Sequence, residues 1–325
     1  RAYHNQTNLH PLGGAVLLAM IGLTFKMKRR WAWLPLMLLV CSVPTAQRVA
    51  IATIDFNLVR LLLVASAMRI FLYSEYRGLR LTRIDKIIIA WALFGVAAYA
   101  LLRGSTGAFI YQFGVAADSL GTYLALRCWI RDWSDLDRIA RTVAVLAMVL
   151  AGFFLYENLT RHNMFSMFGG VDKVTPMRGG RLRCQGPFVH PILAGVFWVG
   201  LLPMIASLWF RRPGKPMLAV GGVIGCLIIA VTTSSSTPVM GVAAAMLGAG
   251  MWMFRYQLRA IRWSVVGVAI GLHLVMEQPV WHLISRVGVG QSTGHHRFNL
   301  IESSSGTATV ACRPGASVSV SSPTA

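Results

Sequence analysis

Long apolar runs alternate with short polar or basic segments along almost the whole chain. Each run is close to the roughly 20 residues that cross a bilayer core of about 30 Å as a helix. Because lipid offers no hydrogen-bond partners to the backbone, such runs must be helical. We therefore predict an all-α, polytopic transmembrane helix bundle of about ten spans, at 12–25, 31–46, 49–73, 87–102, 107–126, 139–157, 188–210, 217–231, 237–254 and 263–276.

Composition excludes a soluble globular domain. Of the 325 residues, 55% are hydrophobic and 13% are charged, and the mean hydropathy is +0.59. Soluble domains carry about 25% charged residues, so this chain has too little polar surface to remain in water.

The distribution of basic residues predicts an orientation. The net charge of +20 would suggest nucleic acid in a soluble protein. Here 17 Lys and Arg residues lie in alternate loops, whereas the short loops on the other side hold Arg48 and Arg103. This bias follows the positive-inside rule and places the basic loops in the cytoplasm, against membrane lipid headgroups rather than nucleic acid. The basic loops are 26–30, 74–86, 127–138, 211–216 and 255–262.

Two segments on the opposite, outside face are longer than turns, and long loops are where function concentrates. They are 158–187 and 277–302. Within the first, 159–168 (LTRHNMFSMF) predicts either a short interfacial helix or an ordinary connecting loop. We expect 1–302 to form the transmembrane domain and the Ser-rich 303–325 to be disordered or out of frame. The first eleven residues resemble an outside loop, so a preceding span is expected to be missing.

An arginine cluster lies on the side that should be poor in cations. Arg178, Arg181 and Arg183 fall within six residues near the end of the first long loop. The planar guanidinium suits phosphate oxygens. These residues predict a site for a lipid-linked phosphate or pyrophosphate, and the alternative is an interfacial cluster that meets lipid headgroups.

Histidines and further arginines add candidates on the same side. His190 precedes Pro191 at the membrane boundary, where it is a candidate base or phosphate donor, or a structural residue. The second loop supplies Arg286 and then His295, His296 and Arg297. Adjacent histidines rarely chelate one ion and no carboxylate completes a site, so an anion-binding loop is preferred to a metal site. The five cysteines lack metal-ligand spacing, and no cofactor is expected.

Five ionisable residues fall within predicted spans, where charges are costly and often functional. Arg69 and Glu157 are near span ends, where their side chains can snorkel to the membrane surface. Asp55 and Arg60 share the third predicted span, and Asp118 in the fifth could pair with Arg60. Structural pairing and a substrate-lining cavity are the two interpretations.

Several motifs together resemble the O-antigen ligase and O-antigen polymerase family. RLRCQGPFVHP is similar to the family's Arg–x–x–Gly–(Pro/Thr)–Phe–x–x–Pro signature, and TTSSSTPVMGVAAAMLG (232–248) to the Thr/Ser-rich entry into its next helix. GHHRFNLIE resembles the arginine-bearing segment of the family's large periplasmic loop. DSLGTYLALR and ENLTRHNMFSMFGGV are similar to the exopolysaccharide-polymerase branch. The signature residues here are Arg183, Gly186, Pro187, Phe188 and Pro191.

The resemblance covers most of 45–302, with a family core at 158–302, and implies an inverting, metal-independent glycosyltransferase of the bacterial inner membrane. Such enzymes transfer a saccharide from undecaprenyl diphosphate to an acceptor glycan hydroxyl. By this resemblance Arg183 and Arg297 would hold the diphosphate, with Arg286 a looser match and Arg178 and Arg181 included by proximity.

The sequence departs from the family near its end. The family's histidine motif and last spans should follow residue 302, so His295 and His296 are candidate bases that precede its usual position. If the Ser-rich tail is natural, the chain is expected to lack activity. A polysaccharide flippase or another multi-span transporter is the alternative function, and a non-catalytic membrane scaffold is a third.

Overall fold

The structure, a computed structural model, describes residues 9–51, 54–210 and 216–275 and is mostly helical. Contacts divide the chain into two compact units, 1–245 and 246–325. The described part of the second unit holds the end of α9, a 3₁₀ segment at Trp252–Gln257, and α10. The helices are α1 Pro11–Lys26, α2 Leu34–Ser42, α3 Leu58–Leu72, α4 Arg83–Arg103, α5 Thr106–Trp129, α6 Trp133–Thr160, α7 Pro191–Ala206, α8 Pro216–Thr232, α9 Ser236–Met251 and α10 Leu258–Val275.

Local sequence signals explain where several helices begin and end. Thr82 and Asp85 form a reciprocal capping box at the start of α4. Gly104 adopts a left-handed conformation at its end, with φ of 58°. The Ser105 side chain then caps α5. These neighbouring signals turn the chain sharply, so α4 and α5 form a helical hairpin.

Three helices in the described part of the chain are long and apolar enough to cross a membrane. They are Arg83–Arg103, Trp133–Thr160 and the extended α7 at Pro191–Trp209. Shorter apolar helices lie at Pro11–Lys26, Pro216–Thr232 and Ser236–Met251. The prediction of a helical membrane protein agrees with these segments.

Two predicted spans were wrong in extent. The run 31–46 contains the nine-residue helix α2, which at about 1.5 Å per residue cannot cross a bilayer alone. The run 49–73 begins as an antiparallel hairpin of β1 (Arg48–Ile51) and β2 (Ile54–Asn57), and α3 starts at Leu58. Asp55 therefore lies on a strand and does not share a helix with Arg60.

The centre of the first unit is the contact between α6 and α8, which also pack with α7. Small residues allow this approach: Ala140, Ala144, Ala147 and Ala151 are buried along one face of α6. A Cβ atom on Gly225 would lie 2.8 Å from the Ala147 carbonyl carbon. The helix backbones can therefore approach closely only while these residues stay small.

One end of this unit, the basic end, is connected by buried ionic contacts. Arg69 is 3% exposed, pairs with Glu75 at 2.9 Å and donates to the carbonyls of Thr24 and Met27. Trp129 Nε1 donates to the same Glu75 at 2.9 Å, and the Trp129 carbonyl accepts from Arg29. Arg69 does not snorkel to the membrane surface, because backbone carbonyls and a carboxylate satisfy it inside the protein.

Replacing Gly225 with Ala should lower the stability of the protein. Ala favours a helix over Gly by about 1 kcal/mol, but overpacking against the α6 backbone costs about 1–3 kcal/mol. We expect a lower midpoint of thermal unfolding in detergent. Gly152→Ala is the matched control, since a Cβ at Gly152 meets nothing within 4 Å. An equal or higher midpoint for Gly225→Ala would contradict the packing described.

Candidate functional site

The segment 161–190 at the other end of the unit, the loop end, follows a defined path. Arg161 terminates α6 in a left-handed conformation, with φ of 59°. A 3₁₀ turn at Met164–Phe168 then buries Phe165 against Phe153, with ring centroids 5.4 Å apart. The predicted short interfacial helix is thus a five-residue 3₁₀ turn.

The carboxylate of Glu157 anchors this segment. Glu157 is 2% exposed and accepts hydrogen bonds from Thr175 Oγ1 at 2.9 Å and from the backbone N–H of Gln185 and Gly186 at 3.1 and 2.9 Å. Glu157 therefore does not snorkel to the membrane surface. Its three donors satisfy the buried charge and connect both halves of the segment to the end of α6.

A second buried polar side chain joins the beginning of the segment 161–190 to its later part. Asn163 Nδ2 donates to the Gly186 carbonyl at 2.9 Å, and its Oδ1 accepts from the Phe165 N–H at 3.0 Å. Gly186 has a φ of 55°, and a Cβ there would lie 2.6 Å from the Phe154 ring. The position therefore requires glycine for both its backbone and its surroundings.

Gln47 connects the segment to the first helices. Its Oε1 accepts from the His10 N–H at 3.1 Å, and its Nε2 donates to the Phe168 carbonyl at 2.7 Å. Gln47 is 1% exposed. The residue before α1, the chain before β1 and the 3₁₀ turn after α6 thus meet at the loop end.

The predicted arginine cluster lies on a tight hairpin. Arg178 on β3 (Met177–Arg178) and Arg181 on β4 (Arg181–Leu182) are cross-strand partners. Gly179 and Gly180 form the turn with φ of 57° and 73°, as a primed hairpin turn requires. Like charges directly opposite each other destabilise a strand pair. The two glycines of the turn therefore place two arginines opposite each other, and this lowers the stability of the strand pair.

Arg183 follows the hairpin and is half-buried. Its Nε is buried and has no hydrogen-bond partner among the described residues. Burial and the nearby positive charge of Arg178 lower the pKa of the Arg183 guanidinium. An anion at this position would supply the missing acceptor and offset the repulsion between the arginines.

His190 and the turn after α8 border Arg183. The His190 side chain caps α7, with Nδ1 accepting from the Ile192 N–H at 3.2 Å. Burial and the charge of Arg183 lower the pKa of His190. The Cys184 N–H donates to the Thr232 carbonyl at 3.1 Å, so the Arg183 and Thr/Ser-rich motifs lie next to each other. His190 therefore has a structural role as the cap of α7, and its role as a base or phosphate donor stays a prediction.

The predicted pairing of Arg60 with Asp118 is confirmed. Arg60 Nε and Nη2 reach the two carboxylate oxygens at 2.8 and 2.7 Å, and Asn57 Nδ2 donates to Asp118 at 3.2 Å. Gly114 makes room, because a Cβ there would lie 2.8 Å from Arg60 Nη2. The pair bridges α3 and α5, apart from the arginine hairpin.

Several predicted site residues, and the boundary proposed at 302–303, lie outside the described residues. They are Arg286, His295, His296 and Arg297. The sequence analysis did not identify the residues that order the loop end, which are Gln47, Asn163 and Thr175. The available signal was an uncharged polar residue close to a predicted apolar span. In the described ranges, no group of three His, Cys, Asp or Glu side chains could hold a metal ion.

Comparisons with known proteins identified no relative of this chain. No protein-family model, curated protein or solved structure matches the chain.

Replacing Glu157 with Ala should release the segment 161–190. Two buried N–H groups and one hydroxyl would lose their acceptor, at about 2–4 kcal/mol in all. We expect faster cleavage by trypsin at Arg178 and Arg181, measured by peptide mass. Asn158→Ala is the control, because Asn158 makes a weaker contact with the Cys184 sulfur at 3.7 Å. Equal cleavage rates in both variants would refute the anchoring role.

The stability of the loop end should fall at acidic pH through His190. Because its pKa is lowered in the folded state, the unfolded chain takes up the proton first as the pH falls through about 6.5. The contribution of His190 is therefore complete above that pH and is lost below it. His190→Asn keeps a capping oxygen but does not titrate. Thermal midpoints from pH 8 to 5 should fall more for the parent than for this variant, and parallel curves would exclude the effect.

Proposed function

We propose that this chain is a membrane glycosyltransferase of surface-polysaccharide assembly, of the O-antigen ligase and polymerase type. Its substrate would be an oligosaccharide on undecaprenyl diphosphate, transferred or polymerised onto an acceptor sugar hydroxyl at the periplasmic face. The observation that carries the proposal is the half-buried Arg183, whose Nε lacks a partner in the described structure, beside Arg178. A lipid diphosphate beside Arg183 would supply several acceptor oxygens.

The chemistry requires such a group. The acceptor hydroxyl oxygen attacks the anomeric carbon, the bond from that carbon to the phosphate oxygen breaks, and the diphosphate leaves with the electron pair. Charge grows on the leaving group, and fixed arginines stabilise it in a site of low dielectric. In this proposal Arg183 and Arg178 perform that role with Arg181, and Arg297 and Arg286 would join them. The hydroxyl proton would go to a base, for which His295 and His296 are the candidates.

The location of the cluster also supports the proposal. Several arginines of the basic end are bound to carboxylates, as in the Arg69–Glu75 and Arg127–Asp85 pairs. The arginine hairpin lies at the opposite end, with the anchored segment 161–190. A multi-pass inner-membrane protein with its basic end in the cytoplasm would present this hairpin to the periplasm.

Replacing Arg183 with Ala should abolish long-chain polysaccharide without lowering the amount of protein in the membrane. Loss of one donor to a developing anion typically costs about 10²–10³ in rate. Arg183→Lys should retain part of the activity, since lysine keeps the charge and loses the fork. Polysaccharide length is read from a gel of cell extracts.

The control is Lys173→Ala, an exposed cation of the same segment, and it should leave chain length unchanged. Normal chain length in the Arg183→Ala strain would contradict the proposal.

A flippase is the second candidate, and the Arg60–Asp118 pair inside the bundle is the observation that favours it. In a strain lacking the protein, lipid-linked repeat units would accumulate on the cytoplasmic face if it is a flippase. They would accumulate on the periplasmic face if it is a polymerase or ligase. A scaffold would produce neither accumulation.

A further inference from the structure

The Arg60–Asp118 pair lies deep between the two ends of the first unit. Along α3, nine residues separate Arg60 from Arg69, and along α5, nine separate Asp118 from Arg127. At 1.5 Å per residue the pair lies about 14 Å from the ion pairs of the basic end. The helix α4 is long and apolar enough to cross a membrane and runs beside α5, with Asp85 paired to Arg127 and the Tyr99 ring near that of Tyr111. Asp118 therefore lies beside the middle of α4. Half of a bilayer core is about 15 Å, so in the proposed orientation, with the basic end at a membrane surface, the pair would lie near the middle of the membrane.

The pair is not sealed inside the protein. The side chains of Arg60 and Asp118 are 20% and 24% exposed. Charges in contact with hydrocarbon at this depth are strongly disfavoured, and intramembrane ion pairs instead face the bundle interior or a water-filled cavity. Partial exposure at mid-depth therefore indicates water beside the pair.

The lengths of the helices show how water could reach it. From Asp118, α5 continues twelve residues to Thr106, about 18 Å towards the loop end. In contrast, α3 begins at Leu58, only two residues before Arg60. Towards the loop end, the chain before α3 forms the hairpin of β1 and β2 instead of a further helix turn. The long helices of the α4–α5 hairpin thus rise well past the start of α3.

Non-helical backbone and a few polar side chains lie near this step, together with the Phe56 ring, which is 5.9 Å from the Arg60 guanidinium. Non-helical backbone at membrane depth is tolerated where it is covered by protein or lines water, and the strand pair Arg48–Asn57 ends next to Asp118 through Asn57. Above the pair, Tyr111 lies seven residues from Asp118, two turns along the same face of α5, and its ring is 6.3 Å from that of Tyr99 on α4.

We propose that the Arg60–Asp118 pair forms the floor of a water-filled vestibule that opens at the loop end and admits small hydrophilic solutes to the middle of the membrane. Asn57 and the pair offer donors and acceptors together, which suits hydroxyl-bearing solutes and water. The inference does not use the arginine hairpin, so it applies whether the protein is a transferase or a flippase.

The test is labelling of Asp118→Cys in cells with methanethiosulfonate ethylsulfonate, an anion that does not cross membranes. Cys312 is replaced by Ser, and the four described cysteines are buried. The new thiol lies beside Arg60, which favours the reactive thiolate. Phe94→Cys on α4 is the depth-matched control, nine residues from Asp85 and 71% exposed on an apolar face.

We expect Asp118→Cys to react at least about tenfold faster than Phe94→Cys, because hydrocarbon raises a thiol pKa by more than one unit. Asn57→Cys provides a second test should loss of Asp118 disturb folding, which is checked by a single size-exclusion peak. Three outcomes would overturn the vestibule: no labelling of either folded variant, equal labelling of Phe94→Cys, or labelling only in everted vesicles. None of these readouts depends on polysaccharide length.

Discussion

The loop end depends on one carboxylate at the end of α6. Glu157 is buried, and water cannot replace the hydrogen bonds it receives from Thr175, Gln185 and Gly186. Because these donors lie 18 to 29 residues further along the chain, each bond closes a loop. The arginine hairpin lies between Thr175 and Gln185 and is held at both sides by the same residue. A carboxylate that is costly to bury in an apolar helix thereby fixes the position of the segment 161–190.

The basic end uses the opposite arrangement. There a cation, Arg69, is the central buried group, and carbonyls of Thr24 and Met27 with the Glu75 carboxylate surround it. At both ends, therefore, a buried charged side chain joins segments that are distant in sequence. Between them the contact of α6 with α8 relies on small residues and requires no polar group. The polar Arg60–Asp118 pair is an exception in this middle layer, and it bridges two helices at a half-exposed position.

Hydrophobic runs predicted α1, α8 and α9 to within three residues at each end, because each helix coincides with one uninterrupted apolar run. The hairpin of β1 and β2 was missed because its apolar residues and those of α3 were taken as one span, although Asp55 and Asn57 interrupt them before Leu58. Val49, Ile51 and Ile54 are β-branched, which was the available sign of strand. The buried states of Arg69 and Glu157 could not be predicted, because their partners are backbone groups supplied by tertiary structure. The pairing of Arg60 with Asp118 was predictable because an isolated charge in a span requires an opposite one.

The two ends differ in how their arginines are stabilised, and this difference bears on function. Arg69 and Arg127 neutralise carboxylates, so their positions follow from folding alone. Arg183 is half-buried beside another arginine, with a lowered pKa and an Nε atom without a partner in the described structure. Folding by itself would favour an apolar or neutral residue at such a position. A cation held there at a cost is explained if an anion binds beside it, and this is the physical basis of the proposed diphosphate site.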